Sequence, residues 1–345
     1  MSMLSVFGKK PEGDRLNRIQ NTSGYRDAAF QNESHTPMMA EDSNYWTVMR
    51  TMFDRSVPRK PSGVIPAVAT DLQQVIADDL DVYWFGHSSY LLVSGKVRIL
   101  VDPVFSGHAS PFPGMVKAFK GTEIFTADAM PDIDVLIITH DHYDHLDYKT
   151  VSALRHKVKN VVCSLGVGAH LNYWGYDAAR IHELYWHESA EVDNMTFTAL
   201  PARHFSGRMF TRNQTAWSAF SLHWNGKRIY IGGDSGYDVH FAKTGAQYGP
   251  FDLAILECGQ YNPTWKYIHM MPEETVQAAI DLRATILMPV HWGKFALSVH
   301  SWTEPADRVL QAAIEKDVPM AMPKPGARYS LAQGSLTDPW WREVR

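Results

Sequence analysis

From Val82 onward the apolar positions come in short, dense runs separated by turn signals. Tyr90–Val93 and Val97–Val101 flank Ser94-Gly95-Lys96, and Ser218–Trp224 and Arg228–Ile231 flank Asn225-Gly226. Asn-Gly is a strong hairpin signal because both residues tolerate positive φ. In each hairpin an apolar second strand runs into an aspartate: Arg98-Ile-Leu-Val-Asp102 and Arg228-Ile-Tyr-Ile-Gly-Gly-Asp234. The two lie about 130 residues apart, which predicts two similar halves. Further runs predict strands at Val135–Thr139, Asn160–Cys163, Met195–Leu200, Leu253–Leu256 and Ile286–Pro289. Helical spacing appears between them. Tyr148, Val151, Leu154 and Val158 recur every three or four residues behind Asp147, a candidate N-cap. Pro272, followed by Glu273 and Glu274, opens a second helix. Pro305 opens a third, with Val309, Leu310, Ala313 and Ile314 on one face. Such a mixture predicts an α/β protein with two packed sheets and helices outside.

Residues 1–80 read differently. They are rich in Ser, Asn, Pro, Asp and Arg, and only Tyr45–Phe53 and Leu72–Leu80 have the pattern of short helices, the latter behind Asp71 as N-cap. The chain is therefore divided into an extension over 1–80 that packs on a main domain over 81–345.

Composition narrows the class. Basic and acidic residues number 33 and 37 and form no block of five like charges, which argues against a nucleic-acid partner. The two cysteines, Cys163 and Cys258, sit in separate apolar runs and read as free thiols of a reducing compartment. Nothing resembles a signal peptide, and no run approaches the ~18 apolar residues of a membrane span. A cytoplasmic location follows as the expectation.

The sixteen histidines matter for where they fall. Asp134-Val-Leu-Ile-Ile-Thr-His140-Asp141-His142-Tyr143-Asp144-His145-Leu146-Asp147 is a buried-type strand running into a loop with three histidines and two aspartates. Imidazole and carboxylate together are zinc ligands. His140 and His142 can converge on one ion, with Asp144 and His145 directed at another. Further ligands must come from elsewhere, and His204, Asp234 and His291 each follow a strand-like run. Two metals ~3.5–4 Å apart share one hydroxide, lower its pKa and clamp both oxygens of a displacement. No G-x-S-x-G elbow or P-loop competes with this chemistry.

The H-x-H-x-D-H motif resembles the metallo-β-lactamase superfamily. Trp84-Phe-Gly-His87-Ser-Ser, Leu100-Val-Asp-Pro-Val-Phe105, Leu200-Pro-Ala-Arg-His204, Gly232-Gly-Asp234-Ser-Gly-Tyr237, Gly249-Pro-Phe-Asp-Leu253 and His291-Trp-Gly-Lys-Phe-Ala-Leu297 follow in order. Together they are similar to the N-acyl-phosphatidylethanolamine-hydrolysing phospholipase D branch and its bacterial relatives, over roughly Val82 to Leu310. The resemblance implies an αββα four-layer sandwich of two mixed sheets flanked by helices. It also implies two zinc ions, with iron or manganese as alternatives for such a ligand set. His140, His142 and His204 would hold the first ion, Asp144, His145 and His291 the second, and Asp234 would bridge them. Asp144, Asp234 and His269 are the candidate catalytic groups, His269 matching a histidine the family places near substrate.

Other residues are read more modestly. His87 is taken to orient a ligand, Asp102 to support the metal loop from below, and Tyr143 to contact substrate. Arg203, Arg208 and Arg212 suit an anionic phosphate. Phe105, Phe112, Met115, Val116, Phe119 and Phe125, interleaved with Lys117 and Lys120, read either as an interfacial helix or lid or as packed core. The leading expectation is a phosphodiesterase of phospholipase D type, peripheral at the inner membrane face. The alternatives are a cytoplasmic lactonase or phosphodiesterase on a small phosphorylated metabolite, and a non-catalytic metal-stabilised binding protein. A lipid or small-molecule substrate is expected, and the oligomeric state stays open, with a homodimer among the options.

Overall fold

Two sheets face one another. The computed structural model describes residues 3–41, 46, 49–50, 53–54, 56–208 and 211–344. In the first sheet, β1 (Ala77–Trp84), β2 (Tyr90–Gly95) and β3 (Val97–Val101) run antiparallel, and β4 (Ile133–Ile138), β5 (Val158–Ser164) and β6 (Ile181–Leu184) continue parallel to β3. The second sheet repeats the scheme. Antiparallel β7 (Ser189–Val192), β8 (Met195–Leu200), β9 (Ala219–Trp224) and β10 (Lys227–Ile231) lead into parallel β11 (Phe251–Glu257) and β12 (Ala284–Val290). A last strand, β13 (Arg328–Ser330), closes the first sheet beside β1. The weak sequence repeat is thus a structural one: β3 and β10 hold matching places, and each ends near an aspartate.

β4 shows why these runs are strands. Val135 and Ile137 join the core between the sheets, whereas Leu136 and Ile138 join a second core beneath the outer helices. A strand buried on both faces needs apolar residues at every position, and this one has them. The second core takes in Val151 and Leu154 of α2 (Tyr148–Leu154) and Leu171 of α3 (Gly168–Tyr173), α1 (Gly13–Gln20) lying in the extension. On the other side α4 (His240–Gln247), α5 (Pro272–Asp281) and α6 (Glu304–Glu315) contribute Phe241, Val276, Ala279 and Val309 to the first core. This is the four-layer order helix, sheet, sheet, helix.

Several expectations need correction. Leu72–Leu80 is not a helix. Asp71 does accept the Gln73 N–H at 3.0 Å, but only the turn Leu72–Gln74 follows before β1 begins at Ala77. Leu80, Val82 and Trp84 alternate into the core, so tertiary burial selects period two over local helix propensity. The first sheet therefore takes in Ala77–Leu80, which the division at residue 80 assigned to the extension. Behind Asp147 the helix ends at Leu154, and Val158 opens β5 instead. Ile314 is exposed on α6, while Val309, Leu310 and Ala313 are buried. Tyr45–Phe53 lies largely outside the described residues. Phe105–Phe125 forms turns and one bridge, not an interfacial helix: Phe119 and Phe125 are core, while Phe112 and Met115 are exposed. No helix among the described residues is long and apolar enough to cross a membrane.

One buried charge gives a pH prediction. Lys294 is 1% exposed, with Nζ 3.3 Å from the Phe85 carbonyl and above the Phe105 and Phe295 rings at 5.2 and 5.7 Å. Burial pushes its ammonium down from 10.5 to about 7, against the pull of Asp147. Between those values the unfolded chain holds a proton that the folded one has released, so stability rises with pH across that window. At about 1.4 kcal/mol per pH unit, the charged form is disfavoured by several kcal/mol. Lys294→Met is expected to raise the melting temperature at pH 7, with the gain over wild type shrinking towards pH 10. A difference that does not vary with pH would contradict this account.

Candidate metal centre

The C-terminal ends of β3, β4, β10, β11 and β12 point to one place. β4 delivers Thr139 and His140, and a tight loop follows in which the His145 and Leu146 N–H groups donate to the His142 carbonyl at 3.1 and 2.8 Å. The Gly232-Gly233 turn after β10 delivers Asp234. A Cβ on Gly233 would lie 2.9 Å from Thr139 Cβ and 3.1 Å from the Ser218 carbonyl, so only glycine lets the two loops approach this closely. His87, Asp102 and His291 all have positive φ (55°, 40° and 69°), and the loops of His87 and His291 clasp each other: His87 N–H donates to Trp292 O at 2.7 Å and His291 N–H to His87 O at 2.9 Å. Backbone strain of this kind persists where surrounding structure enforces it.

All seven sequence-predicted ligands come together. His140, His142, His204 and Asp234 form one set of donor atoms, and Asp144, His145 and His291 with His87 form another. Asp234 sits between them: its Oδ2 is 3.2 Å from His145 Nε2, 3.7 Å from His204 Nε2 and 3.9 Å from His140 Nε2, and its Oδ1 is 3.1 Å from His291 Nδ1.

The hydrogen bonds around the sets leave bare nitrogens facing inward. His204 Nδ1 lies 2.8 Å from the Ile268 carbonyl and His145 Nδ1 2.8 Å from Asp102 Oδ2, contacts that place a proton on Nδ1, so that in the neutral ring Nε2 carries the lone pair. His140 Nε2 and His142 Nδ1 face each other at 2.9 Å, and His204 Nε2 is 3.3 Å from the same His142 atom. Three nitrogens cannot satisfy one another with protons alone. His145 Nε2 and Asp234 Oδ1 are buried without a hydrogen-bond partner. Orphaned donors of this chemistry fit divalent metal ions.

Electrostatics agree for four of the five imidazole ligands. Burial holds the imidazoles of His140, His204 and His291 well below their usual range and that of His142 at about 4, which keeps them neutral as ligation requires. Burial opposes charge on His145 too, but Asp234, Asp144 and Asp102 outweigh it and raise its pKa. Burial also raises Asp234 to about 6, against the pull of His145.

The lesser candidates divide. Buried His87 places Nε2 2.9 Å from Asp144 Oδ2, the orienting contact expected of it. Asp102 accepts from Thr139 N–H at 2.9 Å and Thr139 Oγ1 at 2.6 Å besides His145, so it supports the loop from below. Tyr143 stacks under Arg208, 4.1 Å from its guanidinium, and does not line the cavity. The arginines are not a phosphate cradle. Arg208 is buried and donates to the carbonyls of Asp141, Leu146 and Val6, and Arg203 donates to Thr36 Oγ1 and the Tyr237 and His35 carbonyls. Arg212 alone is exposed, 5.5 Å from the Phe205 ring.

Sequence reasoning missed several contributors. Asn32 of the extension brackets the His204 backbone, donating to its carbonyl at 2.7 Å and accepting from its N–H at 3.1 Å. Asp141 is held by His170 at 3.3 Å and by the Gly207 N–H at 2.6 Å. His269 Nδ1 is 2.8 Å from Glu257 Oε2. Glu257 had a signal, because it ends an apolar strand as Asp102 does; Asn32 had none. A cavity of 290 Å³ opens over the donors, walled by Met38, Phe205, Trp265, Ile268 and Leu297 with Gln260 and His269. A larger cleft of 690 Å³ between the extension and Tyr185–Glu188 contributes to none of these donor sets.

Fold and site define a metal-dependent hydrolase: paired His/Asp donor sets at the strand ends of a four-layer sandwich, opening on a substrate-sized cavity. The profile of the β-lactamase superfamily domain matches residues 97–292, and the chain belongs to the metallo-β-lactamase superfamily. An uncharacterized protein of Mycobacterium tuberculosis is 40% identical over 328 residues, covering 94% of this chain and 88% of its own. N-acyl-phosphatidylethanolamine-hydrolyzing phospholipase D 1 of Caenorhabditis elegans is 33% identical over 261 residues, covering 69% of this chain and 72% of that protein. Among solved structures, the metallo hydrolase Igni18 of Ignicoccus hospitalis shares the fold, with a TM-score of 0.56 at 19% identity over 72% of this chain and 97% of that one.

Proposed function

We propose that the protein is a binuclear zinc phosphodiesterase of phospholipase D type, acting on N-acyl phosphatidylethanolamine-like phospholipids. The observation that carries this reading is the pair of donor sets with Asp234 in reach of both, at the floor of an apolar-walled cavity. His140, His142, His204 and Asp234 would hold one ion, and Asp144, His145, His291 and Asp234 the other. When bound, such ions activate a water and offset charge on the phosphate. The chain's own groups do the rest. His87 and Asp102 orient Asp144 and His145, Met38, Phe205, Trp265 and Leu297 exclude bulk water, and His269 stands beside the leaving group. Exposed Leu4, Phe112 and Met115 with exposed Lys117 and Lys120 supply a surface for peripheral membrane contact. The name of the nematode relative supports the lipid substrate.

The cavity volume favours a second reading. At 290 Å³ it lies at the small end of ligand sites, the size of a headgroup or a small phosphorylated metabolite. Turnover of bis-p-nitrophenyl phosphate and of micellar N-acyl phosphatidylethanolamine, with and without zinc, separates the two. The proposal expects metal-dependent release from both. Release from the aryl ester alone favours the small metabolite. Release from neither, with two metals bound, points to lactones.

A further inference from the structure

The cavity has a floor of metal donors, and one polar pair beside it, Glu257 and His269, stands outside the two ligand sets described above although it forms a third group of possible donors with Asp234 and His291. Glu257 is 1% exposed, the last residue of β11, and both its carboxylate oxygens are engaged: Oε1 accepts the Ser235 N–H at 2.7 Å and Oε2 lies 2.8 Å from His269 Nδ1. Its backbone is held as well, the carbonyl accepting Thr275 Oγ1 at 2.8 Å. With Oε1 tied to the Ser235 N–H and Oε2 facing the imidazole, the carboxylate is held in one orientation. It fixes the proton on His269 Nδ1 and the plane of the ring. Nε2 is then the nitrogen not engaged by Glu257, and His269 lines the cavity with its ring 5.1 Å from that of His204 and 5.4 Å from that of His291. An imidazole oriented by a buried carboxylate is the arrangement of a proton donor to a departing oxygen.

We infer that Glu257 is a positioning residue that holds His269 to protonate the alcohol oxygen leaving phosphorus, an inference that rests on the phosphodiesterase reading. As the oxygen of water bonds to phosphorus, the bond from phosphorus to the alcohol oxygen breaks, and that oxygen takes the proton of His269 Nε2. The proton given up by the attacking water returns to the imidazole before the next turnover. One diester and one water thus give one phosphomonoester and one alcohol. The donor matters only when the leaving group is a strong base. An alkoxide, such as that of an N-acyl ethanolamine, needs the proton; p-nitrophenolate leaves without it.

The test is the leaving-group dependence of Glu257→Gln in the zinc-loaded full chain, with zinc content by mass spectrometry and thermal midpoint measured alongside. Glutamine preserves the size of the side chain but not its charge. The expected result is two zinc ions retained and kcat on micellar N-acyl phosphatidylethanolamine reduced about 10²-fold or more, the range of general acid catalysis. KM, and kcat on bis-p-nitrophenyl phosphate, should stay close to wild type. Equal losses on both esters, or none on either, overturn the inference and leave Glu257 a structural residue. Should Glu257→Gln not fold, His269→Gln is read by the ratio of its losses: a fall in kcat on the alkyl ester at least about tenfold larger than on the aryl ester supports the inference, and equal losses overturn it. A wild-type protein inert towards both esters with metals bound overturns the phosphodiesterase reading, and this inference with it.

Discussion

Asp234→Asn is expected to abolish hydrolysis while leaving the fold intact. The carboxylate lies between two sets of imidazoles, 3.1–3.9 Å from nitrogens of His140, His145, His204 and His291. Only a negative, bidentate group can serve both sets at once. Asparagine fills the same volume and can still hydrogen-bond to one imidazole, so packing under the Gly232-Gly233 turn should survive. Electrostatic assistance from a metal pair is worth several kcal/mol. At 1.36 kcal/mol per factor of ten, its loss lowers kcat/KM by about three orders of magnitude. Zinc stoichiometry, kcat/KM on bis-p-nitrophenyl phosphate and the thermal midpoint should be read on the same preparation. Turnover retained with two metals bound would show that the bridging role is misassigned.

Asp102→Ala should instead damage the fold and the metal centre together. The side chain is 1% exposed and accepts three hydrogen bonds, from Thr139 N–H, Thr139 Oγ1 and His145 Nδ1. Alanine leaves these donors buried and unpaired, at a cost of about 3–5 kcal/mol, as for other broken buried pairs. It also frees the His145 ring, and loss of such an orienting partner weakens metal binding by about 10–100-fold. Urea unfolding of the apo chain measures the first effect and zinc titration the second. If stability falls but zinc affinity does not, Asp102 supports the loop without orienting its ligand. The apo measurement is essential, because bound metal itself stabilises the native state.

Much of this was legible along the chain because it is local. Most strands of both halves follow from short apolar runs and from Ser94-Gly95-Lys96 and Asn225-Gly226 at the hairpins, whereas Ile181–Leu184, Ser189–Val192 and Arg328–Ser330 gave no such signal. The cluster His140 to His145 declares itself because five donors in six residues have no packing use. The α5 helix follows from Pro272 with Glu274, whose carboxylate takes the Met271 N–H at 2.9 Å. Where local signals failed, a distant contact had decided the matter. Leu72–Leu80 has helical spacing, yet Leu80, Val82 and Trp84 are drawn into a sheet by partners near Val93 and Tyr329. Arg203 and Arg208 looked like phosphate ligands because they neighbour His204, but the carbonyls of His35 and Val6, 168 and 202 residues away, claim their guanidiniums.

Sequence alone therefore determined the donor chemistry and the likeness of the two hairpins, since both are written in residue type and short-range spacing. It could not determine which groups surround the donors. That Asn32 holds the His204 backbone, that Met38 walls the cavity and that Glu257 faces His269 depends on segments brought together by sheet packing. The physical reason is range. Backbone propensity and periodicity act over a few residues, whereas burial, which sets the direction of a side chain and its ionisation, is a property of the assembled core.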